Sequence, residues 1–238
     1  MTRRYRIAID TGGTFTDLVL DDGSGRLRPF KARTTPDDPT VGILAALMRS
    51  AQGMGIDLTE LLERTEMLIH GTTRALNAVT TGDALAKTAF LTTAGHPDIL
   101  LYGEGGRTDL FDYSQPGRRA FVPRRLTFEV PERIGASGEV VVPLDEAEVR
   151  RIAARLREER IEAVGVCLLW SPLNDDHELR VERILREELG DDIAMTLSSR
   201  LNPTLREYRR AASTVIDAAL KPLMTRYRSA SASRSAER

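Results

Sequence analysis

The sequence predicts an α/β fold: a mixed sheet with antiparallel hairpin strands early, parallel strands later, and helices covering it. Three observations predict it. Near the amino terminus, short apolar runs are joined by glycine-rich turns, the pattern of hairpins. From Leu144 onward, helix-like and strand-like patterns alternate, which gives parallel strands with helical cover. Within that alternation, Ala163–Leu169 is an almost unbroken apolar run, as in strands buried on both faces.

Taken in order, Tyr5–Ile9 reads as the first strand and Thr16–Asp21 as the second, centred on Leu18, Val19 and Leu20. Asp10–Phe15 is the tight turn between them. The turn Asp22-Gly23-Ser24-Gly25 leads into a third strand that ends near Lys31. Pro39 fits the first turn of a helix running to about Gln52, with Gly53 and Gly55 ending it. Met67–His70 reads as a buried strand, Thr73–Thr80 as a helix and Thr88–Leu91 as a further strand. Gly95–Gly138 is rich in Gly, Pro and Arg and reads as loop with short strands.

Asp145 and Glu148 form an Asp-x-x-Glu capping signal for a helix whose apolar side carries Val149, Ile152, Leu156 and Ile161. A second helix covers Asp176–Leu189, and a strand follows at Ile193–Leu197. Pro203 opens a long final helix, broken or ended near Pro222. Ser229–Arg238 contains only Ser, Ala, Arg and Glu and reads as a disordered tail or the ragged end of a truncated chain.

Composition narrows the function classes. A length of 238 residues allows one large domain or two small ones, and 41% hydrophobic residues supply a core. Aromatics at 5% argue against a base-stacking surface, and a net charge of −1 gives no electrostatic reason for a nucleic-acid or anionic-membrane partner. A single cysteine, Cys167, excludes an internal disulfide; the basic start lacks the apolar stretch of a signal peptide, so a cytoplasmic setting is expected.

The strongest local signal is Asp10-Thr11-Gly12-Gly13-Thr14-Phe15-Thr16-Asp17, directly after a strand. Consecutive glycines permit backbone angles that gather N–H groups into an anion-binding concavity. Thr11, Thr14 and Thr16 add hydroxyl donors for phosphate oxygens, and Asp10 is placed to hold Mg²⁺ through water. The segment is neither a Walker loop nor Gly-x-Gly-x-x-Gly. An ordinary turn between two strands remains the plain alternative.

Asp10–Asp17 resembles the first phosphate motif of the actin, hexokinase and heat-shock ATPase superfamily, which implies a ribonuclease H-like, actin-like ATPase fold. Four further segments resemble the hydantoinase/oxoprolinase N-terminal family. They are His70-Gly71-Thr72-Thr73 with Asn77-Ala78; Leu91–Asp98; Val130–Ile134 with Gly138 and Pro143-Leu144-Asp145; and Asn174, His177-Glu178 with Glu207-Tyr208-x-Arg210. Within that resemblance His96 replaces the usual Phe and Asp175 the usual Pro, and the wording of Tyr102–Asp112 is nearer to the ketone carboxylase branches.

The resemblance implies the N-terminal module of an ATP-dependent hydrolase that opens cyclic amides through carbonyl phosphorylation, or of a related ketone carboxylase. It implies ATP and Mg²⁺ as cofactors, with Asp10 and His70 as catalytic residues and Asp10 as metal ligand. Thr11, Gly12, Gly13, Thr14, Thr16, Thr72 and Thr73 are the expected nucleotide contacts. The family continues well beyond this chain, so a missing C-terminal lobe and a hydantoinase B-type partner subunit are expected, and the chain alone is expected to be inactive. The domain expected is residues 1–228, with a phosphate-loop lobe near 5–90 and further α/β structure near 140–228. A small-molecule kinase of the same superfamily and a non-catalytic fragment or interaction module are the alternatives.

Other residues carry two readings each. His70 is a general base or a strand-end histidine satisfied by its neighbours. Thr72 and Thr73 touch ligand or cap the next helix. Arg107, beside Gly105 and Gly106, binds an acidic substrate group or is a solvated loop residue. Cys167 reads as a core residue, and His177 with Glu178 as packing and capping rather than a metal site. Arg206, Arg209 and Arg210 read as a surface ion-pairing cluster.

Overall fold

The computed structural model describes residues 4–35, 38–104, 114 and 120–236. They fall into two compact units: Met1–Asp83 together with the chain from Tyr227 onward, and Ala84–Arg226.

In the first unit, strands β1 (Tyr5–Thr11), β2 (Phe15–Asp21) and β3 (Leu27–Arg33) form a meander. Helices α1 (Pro39–Met54) and α2 (Leu58–Glu63) follow, then β4 (Thr65–Thr72) and α3 (Arg74–Thr81). The sheet order is β3-β2-β1-β4, antiparallel except for the parallel β1–β4 pair. Alternation puts Tyr5, Ile7, Ile9, Leu18 and Leu20 on one face, packed against Ala46, Leu47 and Ala51 of α1 and Leu61 of α2.

Local chemistry sets the helix ends. The Asp38 carboxylate accepts the Thr40 N–H at 3.1 Å to cap α1, and Gly55 ends it with a left-handed φ of 72°. Gly53 lies inside α1 rather than ending it, and its missing β-carbon makes room for the Phe30 ring, which a β-carbon would meet at 2.5 Å. The sequence reading did not anticipate α2, whose cap is Asp57 accepting the Glu60 N–H at 2.8 Å.

The expectation of a buried strand at Met67–His70 is half right. The strand exists, but Met67, Leu68 and Ile69 are 48%, 46% and 58% exposed. An apolar run reports that a strand is built for cover on both faces; it cannot report what supplies the cover. Here β4 is the terminal strand of its sheet.

The second unit contains β5 (Thr88–Thr93), α4 (Ile99–Tyr102), a 3₁₀ turn at Arg124–Leu126, and strands β6 (Thr127–Val130), β7 (Arg133–Ile134) and β8 (Val140–Val142). Then come α5 (Glu146–Glu158), β9 (Ala163–Cys167), α6 (Asp176–Leu189), β10 (Ala194–Leu197), α7 (Ser198–Leu201) and α8 (Glu207–Ala236), whose residues from Tyr227 onward belong to the first unit. Its main sheet runs β10-β9-β5-β6 and is parallel throughout. The predicted mixed character thus lies in the first unit's sheet, while the second unit has a parallel sheet and a separate antiparallel β7–β8 pair. Every residue of β9 is buried, and Asp145 caps α5 by accepting the Glu148 N–H at 3.0 Å, both as the pattern indicates.

Helix α8 starts at Glu207, not at Pro203, because Ser198–Leu201 makes its own short helix and the Thr204 N–H turns back to the Asn202 carbonyl at 2.7 Å. Its backbone continues through Pro222, where Ala218, Ala219 and Leu223 are buried, and on to Ala236.

Arg210 overturns the surface-cluster reading. It is 1% exposed and the largest fully buried side chain described. Its guanidinium donates to Ser198 Oγ at 3.1 Å, to the Leu168 carbonyl at 2.8 Å and to the Thr204 carbonyl at 2.5 Å. Glu178, equally buried, accepts from Ser198 Oγ at 2.6 Å, the Leu168 N–H at 2.9 Å, the Ser199 N–H at 2.9 Å and Ser199 Oγ at 2.7 Å. Ser198 and the Leu168 peptide therefore bridge the two charges. Arg209, by contrast, is an exposed partner of Glu104 at 2.5 Å, as the surface reading has it.

Two stability outcomes are expected. Arg210→Met leaves Glu178 charged and uncompensated in the core, a loss of about 3–5 kcal/mol in urea unfolding of the whole chain. Gly42→Ala places a β-carbon 2.9 Å from both the Arg33 carbonyl and Thr16 Oγ1. Overpacking costs about 1–3 kcal/mol, more than the helix-propensity gain of up to about 1 kcal/mol, so the same assay should show net destabilisation.

Candidate functional site

The parallel register of β1 and β4 builds the site. Asp10 lies opposite Gly71 and Thr11 opposite Thr72, so the glycine loop and the His-Gly-Thr-Thr segment meet at one sheet end. The turn itself is held by two backbone bonds: Gly12 N–H to the Phe15 carbonyl and Thr34 N–H to the Thr14 carbonyl, both 3.0 Å. The Thr11 carbonyl accepts the Thr72 hydroxyl at 3.3 Å and the Thr73 N–H at 3.5 Å.

Gly12 and Gly13 act differently from the sequence expectation. Neither has a left-handed backbone. Gly12 is needed for close approach, since a β-carbon would sit 3.2 Å from the Phe15 carbonyl. Its N–H is spent inside the turn. Among the described residues, the Gly13 and Thr14 N–H groups have no partner in the chain, and both residues are exposed. Asp10 is exposed at the strand end, and a β-carbon on Gly71 would lie 3.6 Å from its carboxylate. These groups suit a hydrated cation beside an anion: a carboxylate for the first, N–H donors for the second.

The threonines separate into roles. Thr16 is fully buried and shares a 2.9 Å hydrogen bond with Thr34, so it supports the loop from beneath. Thr72 Oγ1 accepts the Arg74 N–H at 3.2 Å at the start of α3; Thr73, at the cap position, makes no capping bond and is exposed. Thr14 is exposed on the loop, and Thr11 is buried.

His70 is half-buried. Its Nε2 lies 3.0 Å from Thr11 Oγ1 and 3.0 Å from the Tyr227 hydroxyl. The Tyr227 ring is 5.7 Å from the imidazole at 33°, and the Arg74 guanidinium sits 5.7 Å from the Tyr227 ring. Burial pushes the His70 pKa below its ordinary 6.5, against the opposing charge of Asp10. Tyr227 was invisible to sequence reasoning, because no local spacing links residues 157 positions apart.

The remaining candidates lie elsewhere. His177 Nδ1 contacts Glu132 at 2.7 Å in the buried second-unit core, and Thr93 donates to the same carboxylate. Burial raises the Cys167 thiol to about 11, which leaves it protonated and unreactive at neutral pH. Arg107 with Gly105 and Gly106 lies outside the described residues. Among the described residues, no helix is long and apolar enough to cross a membrane.

Comparisons with known proteins follow the same lines. The family model described as hydantoinase/oxoprolinase N-terminal region matches residues 6–189. The caprolactamase subunit alpha of Pseudomonas jessenii is 36% identical over 94% of this chain and 32% of its own length. The acetophenone carboxylase gamma subunit of Aromatoleum aromaticum is 36% identical over 92% of this chain and 31% of its own. A nucleotide-free structure from work on ATP-dependent acetone carboxylation superposes with a TM-score of 0.82, at 26% identity over 96% of this chain and 35% of that one. The chain thus spans about a third of the length of these relatives.

The His70 environment makes a pH prediction. A lowered folded pKa means that the unfolded chain binds the proton first. The His70 contribution therefore leaves stability unchanged above 6.5 and lowers it as pH falls from 6.5 toward the folded value. An imidazole NMR titration should place the His70 midpoint below 6.5; a midpoint at or above it contradicts the burial argument.

Proposed function

Because the chain belongs to the hydantoinase/oxoprolinase N-terminal family, we propose that it is the N-terminal module of an ATP-dependent enzyme that opens cyclic amides or carboxylates ketones. The carrying observation is the turn Gly12–Thr14. It presents the Gly13 and Thr14 N–H groups, which have no partner among the described residues, beside the exposed Asp10 carboxylate, opposite the His70–Thr73 segment. In this reading the two N–H groups donate to phosphate oxygens, and Asp10 orients a hydrated Mg²⁺. Mg-ATP supplies a phosphoryl group that activates a carbonyl or amide oxygen toward attack. Thr11 and Thr73 add hydroxyl donors at the loop, while Thr16 and Thr72 hold its backbone. His70, its pKa lowered by burial, offers a nearby imidazole nitrogen able to accept a proton.

The relatives' names support the chemical class: one is a caprolactamase subunit, one an acetophenone carboxylase subunit and one an acetone carboxylase. They also support a larger assembly, since two are named as subunits. Met67, Leu68 and Ile69 of β4 and Leu76 of α3 are exposed apolar side chains, suited to cover by further chain. We assign that cover to the remaining two-thirds of a full-length enzyme, with a B-type subunit completing the active complex. The single buried cysteine fits a reducing, cytoplasmic setting.

Isothermal titration with Mg-ATP tests the reading. Micromolar binding is expected, falling at least about tenfold in Asp10→Ala, which corresponds to about 1.4 kcal/mol. Equal binding by both proteins refutes the loop assignment. Absence of binding even after the C-terminal region of a full-length relative is supplied refutes the nucleotide reading altogether.

A further inference from the structure

One imidazole nitrogen carries one in-plane hydrogen-bonding position, either a lone pair or an N–H. His70 Nε2 has two hydroxyls at that position, Thr11 Oγ1 and the Tyr227 hydroxyl, each at 3.0 Å. Both cannot hold it fully at once. The backbone of Thr11 is pinned by the Thr72 hydroxyl and the Thr73 N–H on its carbonyl. Whichever way the competition resolves, therefore, the Thr11 response is a rotation of its side chain, not a shift of the strand. Tyr227 is itself buried, with Arg74 against its ring, so its hydroxyl is presented from a fixed place.

We propose that Tyr227 is a positioning residue: by taking His70 Nε2, its hydroxyl releases the Thr11 hydroxyl to bond a phosphate at the Gly12–Thr14 turn. The proposal rests on the phosphate-loop reading of that turn. With the lone pair on Nε2, loss of the Tyr227 hydroxyl lets Nε2 capture the Thr11 O–H, and the loop loses one donor. The chemical class of ligand that feels the difference is a nucleotide or another phosphate ester. A phosphate oxygen competes for the Thr11 hydroxyl where an uncharged ligand gives it no stronger acceptor.

The test is a double-variant set on the full chain, with two readouts. The first uses ¹⁵N-histidine labelling; three histidines give a tractable spectrum. Because each hydroxyl can replace the other, the His70 Nε2 resonance should move little in Tyr227→Phe or in Thr11→Val. It should move by clearly more than their sum in the double variant. Additive shifts, or a Tyr227→Phe spectrum in which the double variant adds nothing beyond Thr11→Val, overturn the competition. The second readout is Mg-ATP affinity. Tyr227→Phe should weaken it about two- to tenfold, the range one net hydrogen bond supplies, and should have no effect in the Thr11→Val background. The same loss in both backgrounds marks a merely structural tyrosine and overturns the proposal. If the wild-type chain fails to bind Mg-ATP, the phosphate-loop reading falls and takes the release of Thr11 toward phosphate with it, while the nitrogen spectrum separately decides whether the two hydroxyls compete.

Discussion

The candidate site depends on one pairing, the parallel register between β1 and β4. Each residue from Arg6 to Thr11 faces one from Met67 to Thr72 without a slip. A shift of one residue would invert the faces of β4 and carry His70 away from Thr11. With the register fixed, the end of β1 delivers Asp10 and the turn, and the end of β4 delivers His70 through Thr73. The meander of β1, β2 and β3 braces the turn from the other side, through the Thr34 N–H and the Thr16–Thr34 hydroxyl pair. Gly42 lets α1 approach that brace more closely than any larger residue allows.

How much of this was legible follows from the range of each interaction. The strand, turn and strand of residues 5–21 read correctly because their signals are local: alternation along the strands and glycines between them. The Asp145 cap of α5 and, for α1, Pro39 in the first turn and Gly55 at the end read correctly for the same reason. Why glycine stands at position 12 was not legible, because a sequence shows that glycine is present without showing whether its freedom of φ or its missing β-carbon is used. At Gly12 it is the missing β-carbon. Thr16, expected as a nucleotide contact, is buried and bonded to Thr34, since alternation in β2 turns it inward. Arg210 looked like a surface charge because its neighbours in sequence are charged. Its partners Ser198 and Leu168 come from β-strand ends that only the fold brings near.

The two units use polar groups in opposite ways. In the second, Glu132, His177, Glu178 and Arg210 are buried with polar atoms bonded to one another, to serine and threonine hydroxyls or to backbone. These are residues of the segments that carry the family resemblance, and here they hold a parallel sheet and its helices in one arrangement. Such groups are costly to break and offer little to a ligand. In the first unit the polar groups at the loop are partly exposed, and two N–H donors lack partners among the described residues. Donors left open at a sheet end are where an anion gains most.

The exposed apolar run of β4 bears on how that open site would work. Met67, Leu68 and Ile69 sit on the strand that carries His70, Thr72 and, through its pairing, Asp10. Chain that covered this strand would desolvate the site in the same step, since the apolar run leads directly into His-Gly-Thr-Thr. Lower local polarity strengthens hydrogen bonds to a phosphate and further favours the neutral form of His70. Completing the hydrophobic cover and completing the site would then be one event. A strand whose sequence is built for burial and whose end carries polar chemistry ties the second to the first.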